Sequence, residues 1–533
     1  MQGNRAKIRR ASSVIVTRGA NDSRVYLARR APQLRFFGGY WAFVGGGVAP
    51  EDATIADRLE TSAGPEDPAF AVAAVRELLR SWASTSARHP SRPPIDALRR
   101  DLLNESFAFP DPPRLEGVLS QNLLQPIVRL LTPAYHPIRF DTQFYRLDWS
   151  RAELPEPSIW PGELVDGAWR EPAEWLDLWR RGEILIAPPV LFILHSAVAF
   201  GWDEGLHRLR ELEEELGGGR IHVIFCNPAA QLLPVRTPTI PPATHTNVYL
   251  VGSDPAYLVD PASPYEDEQD RLISALERSW ESGLVPQRRL RAILLTHHHP
   301  DHIGAVERCR SHFSVPVWAH AATAAELHGK IAIDRLLGDG DVLPLGVGPD
   351  GRAGWELEVI LTPGHAAGHL CFFERRYGSL LAGDMISTLS SILVRTSDGD
   401  MTEYVRSLQR IAALPVQIVY PAHGPADARG AAVLNDQLEH RRSRESAILA
   451  AIERGAHDFD TVVQMVYQDV PEAMHRFAAQ SVEAVCAKLA REGRIRLMVR
   501  RSVPCGSRPQ PQNRRQNEPP TYRSWLASEC SSS

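Results

Sequence analysis

Four short segments carrying histidine or aspartate, each directly behind its own apolar run, constrain this chain more than any other feature. They are Thr296-His297-His298-His299-Pro300-Asp301-His302, Thr362-Pro363-Gly364-His365, Gly383-Asp384 and Pro421-Ala422-His423-Gly424. The runs before them are Arg291 to Leu295, Leu357 to Leu361, Leu380 to Ala382 and Ile418 to Tyr420. Short apolar runs bounded by turn residues read as buried strands. Polar side chains on tight Gly/Pro loops at strand ends are held by a rigid sheet, the usual place for functional groups.

The spacing inside the first segment has a geometric meaning. His297 and His299 are two apart, so an extended backbone points both to one side and His298 to the other. Asp301 and His302 follow as the chain turns, before a helix expected from Ile303-Gly304-Ala305-Val306. Imidazole and carboxylate suit zinc, iron or manganese, and the lack of nearby cysteine argues against a closed structural zinc site. One histidine at a strand end is ordinarily just a polar residue, and a triple-His run is ordinarily a weak surface binder. Neither reading accounts for His-x-His-x-Asp-His followed by His, Asp and His behind separate strands. The pattern implies a binuclear centre, where two close cations acidify a water and polarise a carbonyl or phosphoryl oxygen. That chemistry is hydrolysis.

On these motifs the stretch from about Ile221 to Pro425 resembles a metallo-β-lactamase-fold hydrolase. The resemblance implies an αββα sandwich with the metals at one edge of two sheets. It also implies that His297, His299 and His365 hold one metal and Asp301, His302 and His423 the other, with Asp384 bridging. Asp301 is then also the catalytic carboxylate that orients the hydroxide. The family's opening is present as Thr244-His245-Thr246-Asn247-Val248-Tyr249-Leu250-Val251 and Tyr257-Leu258-Val259-Asp260, although Pro261-Ala262 stands where the family has a glycine turn. Asp260 is expected behind the ligands, and His369 either there or facing substrate.

At 533 residues the chain exceeds one core, and three domains with a tail are expected: 1–216, 220–430, 436–500 and 501–533. In the first, Ala11 to Thr17 and Arg24 to Arg29 read as a strand pair, followed by Trp41-Ala-Phe-Val-Gly-Gly-Gly47 and a helix around Ala73 to Leu79. With Glu163 to Trp169 and Pro172 to Trp175, this resembles a Nudix domain, an α/β/α sandwich. The family's box runs Arg-Glu-x-x-Glu-Glu, whereas here it is Arg76-Glu77-Leu78-Leu79-Arg80-Ser81. Magnesium depends on those oxygens. A degenerate Nudix fold used for docking, ligand binding or scaffolding is therefore expected, with Arg76 and Glu77 as the remnants of its box.

The charged helix Leu206 to Leu216 ends in Gly217-Gly218-Gly219, a joint to the second domain, and another boundary is expected near Arg429 to Asn435. Helical spacing in His440 to Ile452, Thr461 to Tyr467 and Ala478 to Leu489, then a strand at Ile495 to Val499, suggests a winged-helix-like end. It resembles the tail of the metallo-β-lactamase-like protein 2 group, endoribonucleases of this fold. Arg441 to Arg500 holds ten basic and eight acidic residues, which makes no phosphate-binding patch. Arg501 to Ser533, poor in apolar residues, is expected to be disordered.

Net charge is −5, and the six cysteines have no C-x-x-C pairing, which fits a reducing cytosol. Neither a signal peptide nor a membrane span is expected. The expected activity is metal-dependent ester or thioester hydrolysis on a small molecule, with two divalent ions, zinc foremost and iron or manganese also suited. Cleavage of single-stranded RNA and a Nudix-based ligand-binding or scaffold role are the alternatives.

Overall fold

The computed structural model describes residues 8–19, 23–34, 36–57, 67–83, 124–151, 157–159, 162–217, 220–280, 288–499 and 524–527. In the N-terminal part the strand Ile8–Thr17 is central. It runs parallel to Arg139–Asp148 along its length, and antiparallel to Val25–Arg30 and Val44–Gly47. Alternate side chains of such a strand face opposite layers, and the packing follows. Val14 and Val16 meet Phe70, Ala74 and Leu78 of the helix Ala69–Ser81. Ile15 meets Trp175, Trp179, Leu191 and Leu194 from the helices Pro172–Arg180 and Pro188–Gly217. The result is a helix–sheet–helix sandwich.

Arg76 fastens the helix Ala69–Ser81 to its surroundings, reaching the buried Asp52 at 2.8 Å, the Gly47 carbonyl at 2.7 Å and its neighbour Glu77. The Glu77 carboxylate lies so close over Gly46 that a Cβ there would come within 2.5 Å of it. The expected strands and helix of this region are all present. The side chains of Leu79, Arg80 and Ser81 lie outside the described residues, as do Gly218 and Gly219 of the expected joint.

The middle of the chain forms two facing sheets. One has seven strands ordered along the chain from Ile224–Phe225 to Arg335–Leu337, and the other five, from Val342–Gly346 to Ile418–His423. Tyr249, Val251, Tyr257 and Leu294 of the first pack against Leu357, Val359, Phe372 and Leu381 of the second. Outside, Leu272, Leu276 and Val306 cover the first sheet, while Tyr404, Leu408 and Ile411 cover the second. This is an αββα sandwich.

No break stands at the boundary expected near Arg429 to Asn435. The helix Ala431–Glu453 runs straight through it, and one core continues from Phe373 and Leu408 to Val462, Val482 and Leu489. Phe459–Val466, His475–Arg491 and the strand Arg496–Val499 complete the helical end. Ser524–Ala527, within the stretch expected to be disordered, pairs antiparallel with that strand. The rest of 501–533 lies outside the described residues. Among the described residues no helix is long and apolar enough to cross a membrane.

Glu374, fully buried, accepts from Trp355 Nε1 at 2.8 Å and from the amides of Arg376 and Tyr377 at 2.8 and 2.9 Å. Burial outweighs these bonds and pushes its pKa up from 4.5 to about 7. A carboxyl that holds its proton more tightly when folded favours folding at low pH. That contribution disappears as pH rises from the unfolded value to the folded one, on the order of 3 kcal/mol in all. Urea unfolding at pH 5 and pH 8 should therefore show a fall in the wild type that Glu374→Gln lacks; equal falls would refute it.

Candidate metal centre

Each ligand candidate owes its place to a local device. The strand Leu290–Leu294 ends five residues before His299, which caps the short helix Pro300–Ile303 with Pro300 as its first residue. Proline at that position is pre-set for a helix. Asp301 and His302 therefore sit on a helical turn, earlier than the helix expected from Ile303. Asp384 lies inside the strand Ser379–Ser387 rather than beyond its end. Irregular register against Ile418–His423 around Gly383, with φ 49° there, turns Asp384 toward the site. Gly383 passes so close to His369 that a Cβ would come within 2.6 Å of its Nε2.

These devices bring the seven candidates together in two adjoining groups. The ligand atoms of His297, His299, His365 and Asp384 lie within 4.8 Å of one another, and so do those of Asp301, His302 and His423. Asp384 stands between the groups, with Oδ2 3.3 Å from His365 Nε2 and Oδ1 3.4 Å from His423 Nε2 and 3.7 Å from His302 Nε2. Asp301 Oδ2 is 3.5 Å from His423 Nε2.

The far side of every ring reveals its tautomer, because an acceptor there must receive an N–H. His365 Nδ1 donates to the Leu393 carbonyl at 2.9 Å, and His423 Nδ1 to the His245 carbonyl at 3.0 Å. His302 Nδ1 donates to Asp260 at 2.8 Å, and His299 Nε2 to Asp398 at 2.8 Å. Thr296 Oγ1 gives its own proton to Asp260 at 2.6 Å, so it accepts from His297 Nδ1 at 2.9 Å. When neutral, each ring then turns a bare lone pair inward.

Those lone pairs crowd one another. His299 Nδ1 is 2.9 Å from both His297 Nε2 and His365 Nε2, with no proton assigned between them. Burial first, then neighbouring histidines, holds His297 well below the ordinary histidine pKa. Burial takes His365 to about 4 despite the nearby Asp384. His302 Nε2 of the other group and Asp384 Oδ1, 3.7 Å from it, are buried with no hydrogen-bond partner. Burial opposes a charge on His302, yet Asp384 and Asp260 outweigh it and raise its pKa well above the usual value. For Asp384, burial opposes the charge, but His423 and His302 pull its pKa well down. Converging lone pairs and unpartnered carboxylate oxygen are what a divalent cation neutralises. The donor set fits a metal.

The supporting residues are more numerous than the sequence suggested. Asp260 is buried at a positive φ of 49° and accepts from the Thr296 amide, the Thr296 hydroxyl and His302. His369 is buried with both nitrogens engaged, Nδ1 with Thr362 Oγ1 at 2.8 Å and Nε2 accepting from the Asp384 amide at 3.0 Å. It has no nitrogen left for substrate. His298 sits beside His299 and Asp398 rather than wholly apart. Asp398 was not anticipated, since a lone aspartate in a polar loop has no spacing to mark it. The Leu393 and His245 carbonyls are main chain and leave no trace in residue types. Asn247 and Tyr249 lie in the quoted opening but had no role; both donate to the Pro421 carbonyl, at 2.8 and 2.6 Å, and so fix the loop of His423. The box remnants Arg76 and Glu77 belong to the N-terminal sandwich and take no part in these groups.

Comparison with known proteins agrees with this picture. The Metallo-beta-lactamase superfamily profile matches residues 241–423, and that of the Beta-lactamase associated winged helix domain matches residues 459–497. A Beta-lactamase-like protein 2 homolog of Caenorhabditis elegans is 28% identical over 256 residues, 46% of this chain and 79% of the relative. A Hydroxyacylglutathione hydrolase of Bdellovibrio bacteriovorus is 35% identical over 135 residues, 25% of this chain and 49% of the relative. An Atrochrysone carboxyl ACP thioesterase of Aspergillus fumigatus is 22% identical over 263 residues, 47% of this chain and 77% of the relative. The chain thus carries a metallo-beta-lactamase superfamily domain followed by a winged-helix domain, and proteins named as hydrolases and thioesterases are among its relatives.

Proposed function

We propose that the protein hydrolyses a small ester or thioester with two divalent ions, zinc by donor type, His297, His299 and His365 holding one, Asp301, His302 and His423 the other, and Asp384 shared. The convergence of five bare imidazole nitrogens on two carboxylates carries this reading. When bound, such a pair of ions acidifies water towards neutrality and polarises the scissile carbonyl. Asp301, half-buried at the edge of the second group, orients the attacking water and takes up its proton. Asp260 and Asp398 hold His302 and His299 in the tautomers that present lone pairs.

Two relatives support the substrate class, one named Hydroxyacylglutathione hydrolase and one Atrochrysone carboxyl ACP thioesterase. RNA cleavage fits less well, because four cations of the helical end are engaged with carboxylates. Arg444 pairs with Asp469 at 3.0 Å, Lys488 with Glu445 at 2.7 Å, and Arg491 and Arg494 with Asp400 and Glu445 at 2.6 Å. Paired cations release few counterions and grip phosphates poorly. A panel of thioesters, esters, lactones, phosphodiesters and short single-stranded RNAs, run with metal content measured, tests the assignment. Turnover confined to RNA would replace it.

The N-terminal sandwich is, on this reading, a Nudix-like domain without turnover of its own. Its remaining box carboxylate, Glu77, is buried against Arg76 and Gly46 instead of presented to a magnesium ion. Glu77→Gln should leave kcat/KM of the principal hydrolysis unchanged in folded protein. A large loss would show that the domain takes part in the reaction.

A further inference from the structure

Between the metal domain and the helical end lies a cavity of about 430 Å³. Its walls are mostly apolar, with Met401, Val405, Tyr467, Phe477 and Val485 prominent. One polar group in it is out of balance. Arg441 is 9% exposed and lines this cavity, yet among the described residues it forms no ion pair. Its guanidinium face rests on the Tyr404 ring at 4.9 Å, and Nη2 donates to the Ile392 carbonyl. Its Nε is buried with no hydrogen-bond partner.

The neighbouring charges do not compensate it. Lys488 is taken by Glu445 and Glu492 at 2.7 and 2.8 Å, and Arg444 by Asp469. Glu445, the acidic residue of the lining, also receives Arg494. His440 and Ser391 add hydrogen-bonding capacity beside Arg441. A cavity of this size, with apolar surface over most of its wall and basic side chains gathered at one part of its lining sequence, has the make-up of a site for an amphipathic small molecule.

We propose that this cavity is a binding site for an amphipathic anion, an apolar chain ended by a carboxylate or phosphate, with the head on Arg441 and the chain along Met401, Val405 and Phe477. Guanidinium matches both heads, and a charge-assisted bond to it is stronger than a neutral one. The site stands apart from any reading of the metal chemistry. It is nevertheless joined to the centre, because Arg441 holds Ile392, and the next carbonyl, of Leu393, orients His365.

Calorimetric titration of the full metal-loaded chain with decanoate, decyl phosphate and decanol tests the proposal. Either anion should bind once per chain and at least about tenfold more tightly than decanol. Ser481→Trp fills the cavity without altering Arg441 and should abolish anion binding. Arg441→Gln should reduce it to the level of decanol. Undiminished binding in folded Ser481→Trp, as for a carboxylate held at the metals, overturns the proposal. So does equal affinity for decanol and both anions, a comparison that stands even where Arg441→Gln fails to fold.

Discussion

Asp384→Ala is expected to lower kcat/KM by at least about a thousandfold, a loss of about 4 kcal/mol of transition-state stabilisation, while the protein stays folded. The reason is position. Asp384 lies within 3.7 Å of histidine nitrogens from both groups. Its removal takes a negative charge from the middle of the centre and leaves five imidazoles to hold the cations with Asp301. The main-chain amide that bonds His369 persists in alanine, so the strand Ser379–Ser387 keeps its anchor. Metal content by mass spectrometry should fall together with turnover, and the far-UV spectrum should not change. His299→Ala should do the same, since its ring contacts the other histidine rings of the centre rather than an apolar core. A purified Asp384→Ala protein that keeps kcat/KM near the wild-type value, at whatever metal content, would remove the mechanism.

The parts of this centre that were legible in the sequence are those set by local chemistry. Apolar runs before Thr296 and Pro421 are strands because burial on both faces leaves no alternation to mask them, the run before Thr362 alternates with Glu356 and Glu358, and the loop residues mark their ends. The ligand types speak for themselves. What lay hidden depends on contacts between distant segments. Asp398 meets His299 across 99 positions, and the Leu393 and His245 carbonyls reach rings 28 and 178 positions away. Main-chain acceptors have no residue type to betray them. The placement of Asp384 within its strand depends on a register shift at Gly383, which a glycine can mark but cannot specify. Likewise the boundary expected after His423 rested on the last ligand, whereas packing carries the helix Ala431–Glu453 from the sandwich into the helical end.

Asp260→Ala is expected to be the most destabilising single change near the centre, by about 3–5 kcal/mol. It strands three buried donors at once, namely the Thr296 amide, the Thr296 hydroxyl and His302 Nδ1. Backbone geometry adds to the loss, because φ is 49° at this position and alanine tolerates that region less well than aspartate or asparagine. Asp260→Asn separates the two effects: it keeps the backbone preference but has one acceptor oxygen, which cannot serve the Thr296 amide and His302 together. Freed from its partner, His302 should lose orientation, weakening metal binding in the group of Asp301, His302 and His423 by roughly 10–100-fold. Asp398→Asn supplies the contrast. Its side chain is 24% exposed and supports His299, so it should weaken the other group while leaving thermal stability nearly unchanged. Thermal unfolding and metal titration of the three variants give the comparison. If Asp260→Ala melts with the wild type and keeps its full metal, the carboxylate does not organise this centre.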